Sequence, residues 1–184
     1  MPYYALQKSF RQFMKAEDTI VNRVEKSGLL TIDLQDYLTG IQTRVIDLKD
    51  YLFQGLVLKE KDFRRALKEL DGAQFKEVAV LITCTADAII PAWAYMLLMS
   101  KLSGVTQSIA IGNEADLERV VIDHAIHKIK WSDYTDAKVV VKGCGSVQQR
   151  DYAYAKLTQA LLPHVASVMY GEPCSTVPVY KKPR

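Results

Sequence analysis

The chain has 184 residues, 49% apolar and 24% charged, with 24 Lys and Arg against 21 Asp and Glu for a net charge of +3. That length carries one well-buried core, and the apolar content excludes a disordered chain. The basic residues are scattered apart from Lys181, Lys182 and Arg184 at the end, so no basic stripe points to nucleic acid as a partner.

Met1-Pro-Tyr-Tyr4 does not open a basic and then apolar leader. The longest apolar stretch, Ala88 to Met99, is interrupted by Pro91 and falls short of the roughly 20 residues a bilayer span requires. The expectation is a cytoplasmic protein without membrane association, its three cysteines kept as thiols by a reducing compartment.

Tyr4 to Ser27 places Phe10, Phe13, Met14, Ile20, Val21 and Val24 at helical spacing among many charges, and Gly28 ends the pattern. Thr31-Ile-Asp-Leu-Gln-Asp-Tyr-Leu38 and Val45-Ile-Asp-Leu-Lys-Asp-Tyr-Leu52 share Ile-Asp-Leu-x-Asp-Tyr-Leu at a spacing of 14 residues. Two short copies do not make a solenoid; they read as two adjacent strands or strand-to-turn segments, and their start alternates apolar and acidic residues as a half-exposed strand would. Leu58 to Leu70 reads as an amphipathic helix with Phe63, Ala66, Leu67 and Leu70 on one face, stopped by Asp71-Gly72.

From there strands and helices alternate. Glu77 to Thr83, Ser108 to Ile111, Lys138 to Val141 and Val165 to Tyr170 read as strands. Ala88 to Leu102, Glu114 to Ile129 and Asp151 to Leu161 read as the helices between them. Parallel crossovers follow, and the unbroken apolar runs at Val78 to Thr83 and Val139 to Val141 fit strands covered on both faces. The expected fold is a single three-layer α/β domain with a mostly parallel sheet: an N-terminal α+β extension over residues 1–72 and a core over 73–184.

Each cysteine falls just past one of these strands, where a parallel sheet gathers its ligands. Cys84 precedes a helix that Thr85 or Asp87 would cap, near a positive helix dipole that favours a thiolate. Cys144 lies between Gly143 and Gly145, whose amides would form an anion-binding turn. Cys174 sits in a loop held by Pro173 and Pro178. Three converging thiols suit zinc, iron or an iron–sulfur cluster, with Asp87, Glu172 or a histidine completing the set. No Cys-x-x-Cys pair supports that reading, and each cysteine is equally a small apolar side chain. His124 and His127 share a helix face beside Asp123 and Lys128, as surface residues do. Trp93, Tyr95, Met96 and Met99 belong to a helix so apolar that the sheet, and a second copy in a homodimer, would have to cover it.

Four stretches carry a family resemblance: Phe53-Gln-Gly-Leu-Val-Leu-Lys-Glu-Lys-Asp-Phe-Arg64, Cys84-Thr-Ala-Asp-Ala-Ile-Ile-Pro-Ala-Trp-Ala-Tyr-Met-Leu-Leu98, Lys142-Gly-Cys144, and Met169-Tyr-Gly-Glu-Pro-Cys-Ser-Thr-Val-Pro-Val-Tyr180. From about residue 20 to its C-terminus the chain resembles domain of unknown function family 2480 of Bacteroidetes-type bacteria. The resemblance brings no assigned activity. It implies a link to iron–sulfur assembly proteins, because members are often encoded near genes of the Suf pathway. The chain departs from the family at Val147-Gln-Gln-Arg150, where a proline-containing loop is expected.

Three functions follow as expectations. The first is an accessory protein that binds a metal ion or cluster, or handles persulfide, through Cys84, Cys144 and Cys174. The second is a cysteine enzyme with Cys84 as nucleophile, Asp87 beside it and the Gly143 to Gly145 turn as cradle. The third is a non-catalytic interaction protein using the apolar helix and the charged N-terminal segment, expected to keep its cysteines buried and apart while a large apolar patch stays exposed.

Overall fold

The computed structural model describes residues 28–143 and 147–183. The helix expected over Tyr4 to Ser27 lies outside them. Strand β1 (Leu29–Ile32) runs into the helical turn α1 (Gln35–Leu38), and β2 (Thr43–Asp47) into a 3-10 turn at Leu48–Tyr51. A small ribbon of β3 (Leu52–Phe53) and β4 (Val57–Leu58) precedes α2 (Glu60–Glu69). Then follow β5 (Ala79–Thr83), α3 (Ala92–Leu102), β6 (Ser108–Ile111), α4 (Glu114–His127), β7 (Lys138–Val141), α5 (Arg150–Leu161), β8 (Ser167–Glu172) and β9 (Ser175–Lys181).

The fold is α/β with mostly parallel strands, as the alternation of β-branched runs and helices predicts. The parallel strands form two sheets instead of one. One is ordered β2-β5-β6, the other β1-β7-β8-β9, with β9 antiparallel on β8. The two Ile-Asp-Leu segments are therefore strand-to-turn segments but not neighbours: β1 edges one sheet against β7, and β2 edges the other against β5. Residues 29–69, placed by the sequence in an N-terminal extension, supply those edges and α2. The proline-held C-terminal loop is largely β9, with Pro178 opposite Met169 beside a bulge.

The three-layer arrangement holds around the first sheet. Val80 and Ile82 point to one face, where Phe63 and Leu67 of α2 and Ala94, Leu98 and Leu102 of α3 cover them. Ala79, Leu81 and Ala110 point to the other, against Leu117 and Val121 of α4. The opposite side of α4, with Ile122 and Ile126, joins α5 in covering Ile32, Val139, Val141 and Val168 of the second sheet. Helix α4 is thus a wall shared by both sheets. It starts where the chain demands it: Asn113 accepts from Ala115 N and Asp116 N, and Asp116 accepts from Asn113 N, a reciprocal cap.

Residues 60–111 and 119–170 trace the same path at a constant spacing of 59 positions. Ala79 pairs with Ser108 as Lys138 pairs with Ser167. The buried residues of α3 (Ala94, Leu98, Leu102) recur in α5 as Ala153, Leu157 and Leu161, and Phe63 and Leu67 of α2 recur in α4 as Ile122 and Ile126. Even an unfavourable detail recurs: Glu77 and Asp136 both take positive φ (57° and 51°), and their amides donate to Val105 O and His164 O. β2 and β1 complete the two copies as matching edge strands, so the 14-residue motif spacing marks the duplication. The first copy's sheet is β2-β5-β6, and the second copy's is β1-β7-β8 extended by β9.

Because Leu98 and Leu157 are both fully buried at the same position of their copies, Leu98→Ala and Leu157→Ala are each expected to lower stability by about 2–5 kcal/mol. Urea denaturation of the two variants measures this; a loss under about 1 kcal/mol in either would contradict the equivalence of the two cores.

Candidate functional site

The carboxyl end of β5 is organised by Asp47, the last residue of the neighbouring β2. Its carboxylate accepts hydrogen bonds from Thr85 Oγ1 (2.6 Å), Thr85 N (3.1 Å) and Lys49 N (3.0 Å), and the Lys49 ammonium lies 3.3 Å away. Burial works to raise the Asp47 pKa. The Thr85 and Lys49 hydrogen bonds together outweigh it and hold the carboxyl well below the usual carboxylate range. This carboxylate fixes the loop that begins at Cys84.

Helix α3 starts at Ala92, after Pro91, not at Ala88 as its composition suggests. Proline lacks the amide and sits most easily at a helix start, so the chain from Cys84 to Ile90 stays irregular. Thr85 and Asp87 consequently cap no helix, and Cys84 is not at a helix N-terminus; Thr85 is bound to Asp47 instead. Half-buried Cys84 donates through Sγ to Ala86 O at 3.5 Å, a carbonyl and not a base, and Asp87 is exposed.

The second sheet carries the other thiols. Cys174 is exposed at the tip of the β8–β9 hairpin, beside Pro173 and next to the exposed Glu172. Cys144 and Gly145 lie outside the described residues. The residue before them, Gly143, is described: a Cβ there would fall 2.5 Å from the Tyr170 ring. Gly143 therefore permits close packing on β8, a local need that explains the glycine without an anion. Lys142 pairs with Asp33 at 3.4 Å, and Asp33 accepts from Gln35 N.

Cys84 and Cys174 thus belong to different sheets, so a single sheet edge does not bring the thiols together. Among the described residues, a set that leaves out Cys144, no group of three His, Cys, Asp or Glu is arranged to hold a metal. His127 Nδ1 lies 2.6 Å from Asp123 O. His124 faces inward with Nε2 buried, and burial, then Lys128 and His127, lower its pKa. His164 stacks on Trp131 with ring centroids 5.6 Å apart, just before β8 and at the other end of that strand from Cys174.

Two features lie outside the cysteine readings, and the second belongs to the apolar helix that the interaction reading of the sequence names. One is the pair Asp47 and Asp33, whose signal was the aspartate shared by both Ile-Asp-Leu segments. The other is the outward side of α3, where Met96 is 70% and Met99 40% exposed, with Ile89 just before the helix 93% exposed. The Trp93 and Tyr95 side chains do pack on the core as expected, Trp93 in an edge contact with Phe63. Within the one chain, the layers packed on this helix leave its outward methionines exposed.

Asp47→Asn is expected to cost about 1–3 kcal/mol at neutral pH, through lost charge-assisted hydrogen bonds. The Asp47 contribution is fully present above its unfolded pKa near 3.8 and is lost as pH falls below that value toward the lower folded one. Denaturation curves at pH 7 and through the acid range should show the variant and the parent converging only below about pH 4; equal stability at pH 7 would show that the carboxylate does not hold this loop.

Among the described residues no helix is long and apolar enough to cross a membrane. The model of the family described as protein of unknown function (DUF2480) matches residues 18–182, and the chain belongs to that family. No curated protein and no solved structure matches it.

Proposed function

We propose that this is a non-catalytic accessory protein whose working surface is the outward side of α3, which binds another protein. The observation that carries this reading is the contrast between the two copies at equivalent positions. Ile89, Ala92, Met96 and Met99 of the first copy correspond to Gln148, Asp151, Ala155 and Thr158 of the second. Three of these four positions are polar in the second copy, as a solvated helix needs, and the fourth is the small Ala155. The apolar set keeps α3 in a surface that methionine suits, because its flexible thioether adapts to a partner.

The same exchange occurs where its cause is visible. Exposed Asp62 of α2 corresponds to buried Val121 of α4, and α4 differs from α2 in having a second sheet against that side. On α4 the position that turns from charged to apolar is one that a second sheet covers. On α3 that layer is absent among the described residues, and a partner protein supplies it.

A second reading, drawn from the thiols, makes the protein an accessory of iron–sulfur metabolism in the cytoplasm, and its partner an assembly protein. It is supported by neighbouring strands: β7 leads to Cys144 and β8 to Cys174, with Gly143 packed on the Tyr170 ring between them. Two thiolates and Glu172 would provide three of the four donors that zinc or iron takes. Cys84, in the other sheet, is left out of this set.

Met96→Thr with Met99→Thr is expected to leave thermal stability unchanged, since both side chains are exposed, and to abolish a cross-linked partner captured by the parent protein in its native cells. The same captured proteins with parent and variant, or none with either, would end the first reading. For the second, anaerobically purified protein should hold metal or acid-labile sulfide that Cys174→Ser lacks; metal-free protein in both would end it.

A further inference from the structure

The duplication also repeats a groove. Between α2 and α3 a hollow of about 310 Å³ is lined by Arg64, Leu67, Lys68, Leu97, Ser100 and Lys101. Between α4 and α5 a hollow of about 200 Å³ is lined by Asp123, Ile126, His127, Lys156, Gln159 and Ala160, together with Trp131. Each residue of the first set lies 59 positions before its counterpart in the second. The two hollows are one structural feature present twice, and each serves as the control for the other.

The apolar floor is kept, Leu67 by Ile126, while the rim is not. Arg64, Lys68 and Lys101 give the first groove three cations and no acidic lining residue. In the second, these positions are Asp123, His127 and Ala160, and Lys156 is the lone lysine. Asp123 accepts a hydrogen bond from Tyr152 at 2.7 Å, so the second groove is occupied with holding its own helices together. In the first, Arg64 bonds the Glu60 carboxylate, whereas Lys68 and Lys101 have no ion-pair partner among the described residues. Leu97 and Lys101 share helix α3 with Met96 and Met99, so the cationic groove adjoins the exposed apolar side.

We propose that the α2–α3 groove and the adjoining α3 methionines bind an acidic amphipathic segment of a partner protein, its apolar residues on Leu67, Leu97, Met96 and Met99 and its carboxylates on Lys68 and Lys101. The inference rests on the reading of α3 as an interaction surface and names the chemistry of the partner. Charge selects this occupant. A second copy would set the same cations against one another in a two-fold contact. The chain's own first 27 residues carry Lys8, Arg11, Lys15, Arg23 and Lys26 against Glu17, Asp18 and Glu25, the wrong sign for this groove. An apolar floor with a like-charged rim is the helix-in-groove arrangement read by spaced apolar anchors with acidic flanks.

The test uses the full chain and a fluorescein-labelled helical peptide of about five turns, with Leu on one face and Glu on the other, beside a twin with Lys in place of Glu. Fluorescence anisotropy should show binding of the Glu peptide, weakened by salt, and none of the Lys peptide. Lys68→Glu with Lys101→Glu should weaken it by about tenfold or more, and Met96→Ala with Met99→Thr likewise. His127→Ala, in the second groove, should leave it unchanged. Three results would overturn the proposal: equal binding by parent and charge-reversed protein; no peptide binding but association with vesicles of anionic phospholipid; or self-association of the chain that the methionine variant abolishes. Loss of peptide binding alone, with methionine-dependent capture of a partner retained, refutes the acidic chemistry and leaves the interaction surface standing. Failure of both removes the surface as well.

Discussion

Helix α4 has to satisfy two sheets at once, and the architecture follows from that demand. One side gives Leu117 and Val121 to the first sheet, the other gives Ile122 and Ile126 to the second. Burial of each such side chain contributes about 1.5–3 kcal/mol. The four together are comparable to the net stability of a whole domain, about 5–15 kcal/mol. Neither sheet can therefore be separated from α4 without exposing a loss the molecule does not have in reserve. This explains how two sheets of three and four strands share one chain.

The wall is made by changing one side of a repeated unit. Helix α2 and the matching part of α4 share their inward positions, Phe63 with Ile122 and Leu67 with Ile126. They differ outward, where Asp62 becomes Val121 and Arg65 becomes His124. A duplicated β-helix-β unit with one face converted from charged to apolar packs onto its sister copy. The conversion is incomplete at its end. His124 has its Nε2 buried and unbonded among the described residues, and burial, then Lys128 and His127, lower its pKa.

Most of this was legible in the chain as separate pieces. Val78 to Thr83 and Val139 to Val141 announce strands covered on both faces, and both are. The helices after Asn113 and before Leu162 follow from their apolar spacing. Pairing was not legible, because a period of two says which residues face inward but not which strand lies alongside. The duplication was hidden for a related reason. Core positions keep volume more than identity, as Leu81 with Val140 and Ile82 with Val141 illustrate, while most outward positions have diverged. The Ile-Asp-Leu segments are the exception, since Asp47 and Asp33 each perform a local task at the end of an edge strand that apolar substitution cannot perform. Counting those two segments as neighbours obscured what they were: corresponding strands of two copies.

The site was harder to read than the fold, and the cause again lies in the division into two sheets. Cysteines past successive strands converge only if those strands share a sheet, and Cys84 is separated from Cys174 by that condition alone. Gly143, which looked like a place for something bound, is accounted for by the Tyr170 ring. The asymmetry between the copies proves more informative than any motif. A helix that is apolar outward draws attention by itself only weakly, because much of any protein surface is apolar. Set beside a sister helix with the same core and a polar exterior, the same residues become a departure with a direction. Since α4 shows within the same molecule what such a departure accomplishes, the outward side of α3 is most simply understood as a second wall, built for a layer that another molecule brings.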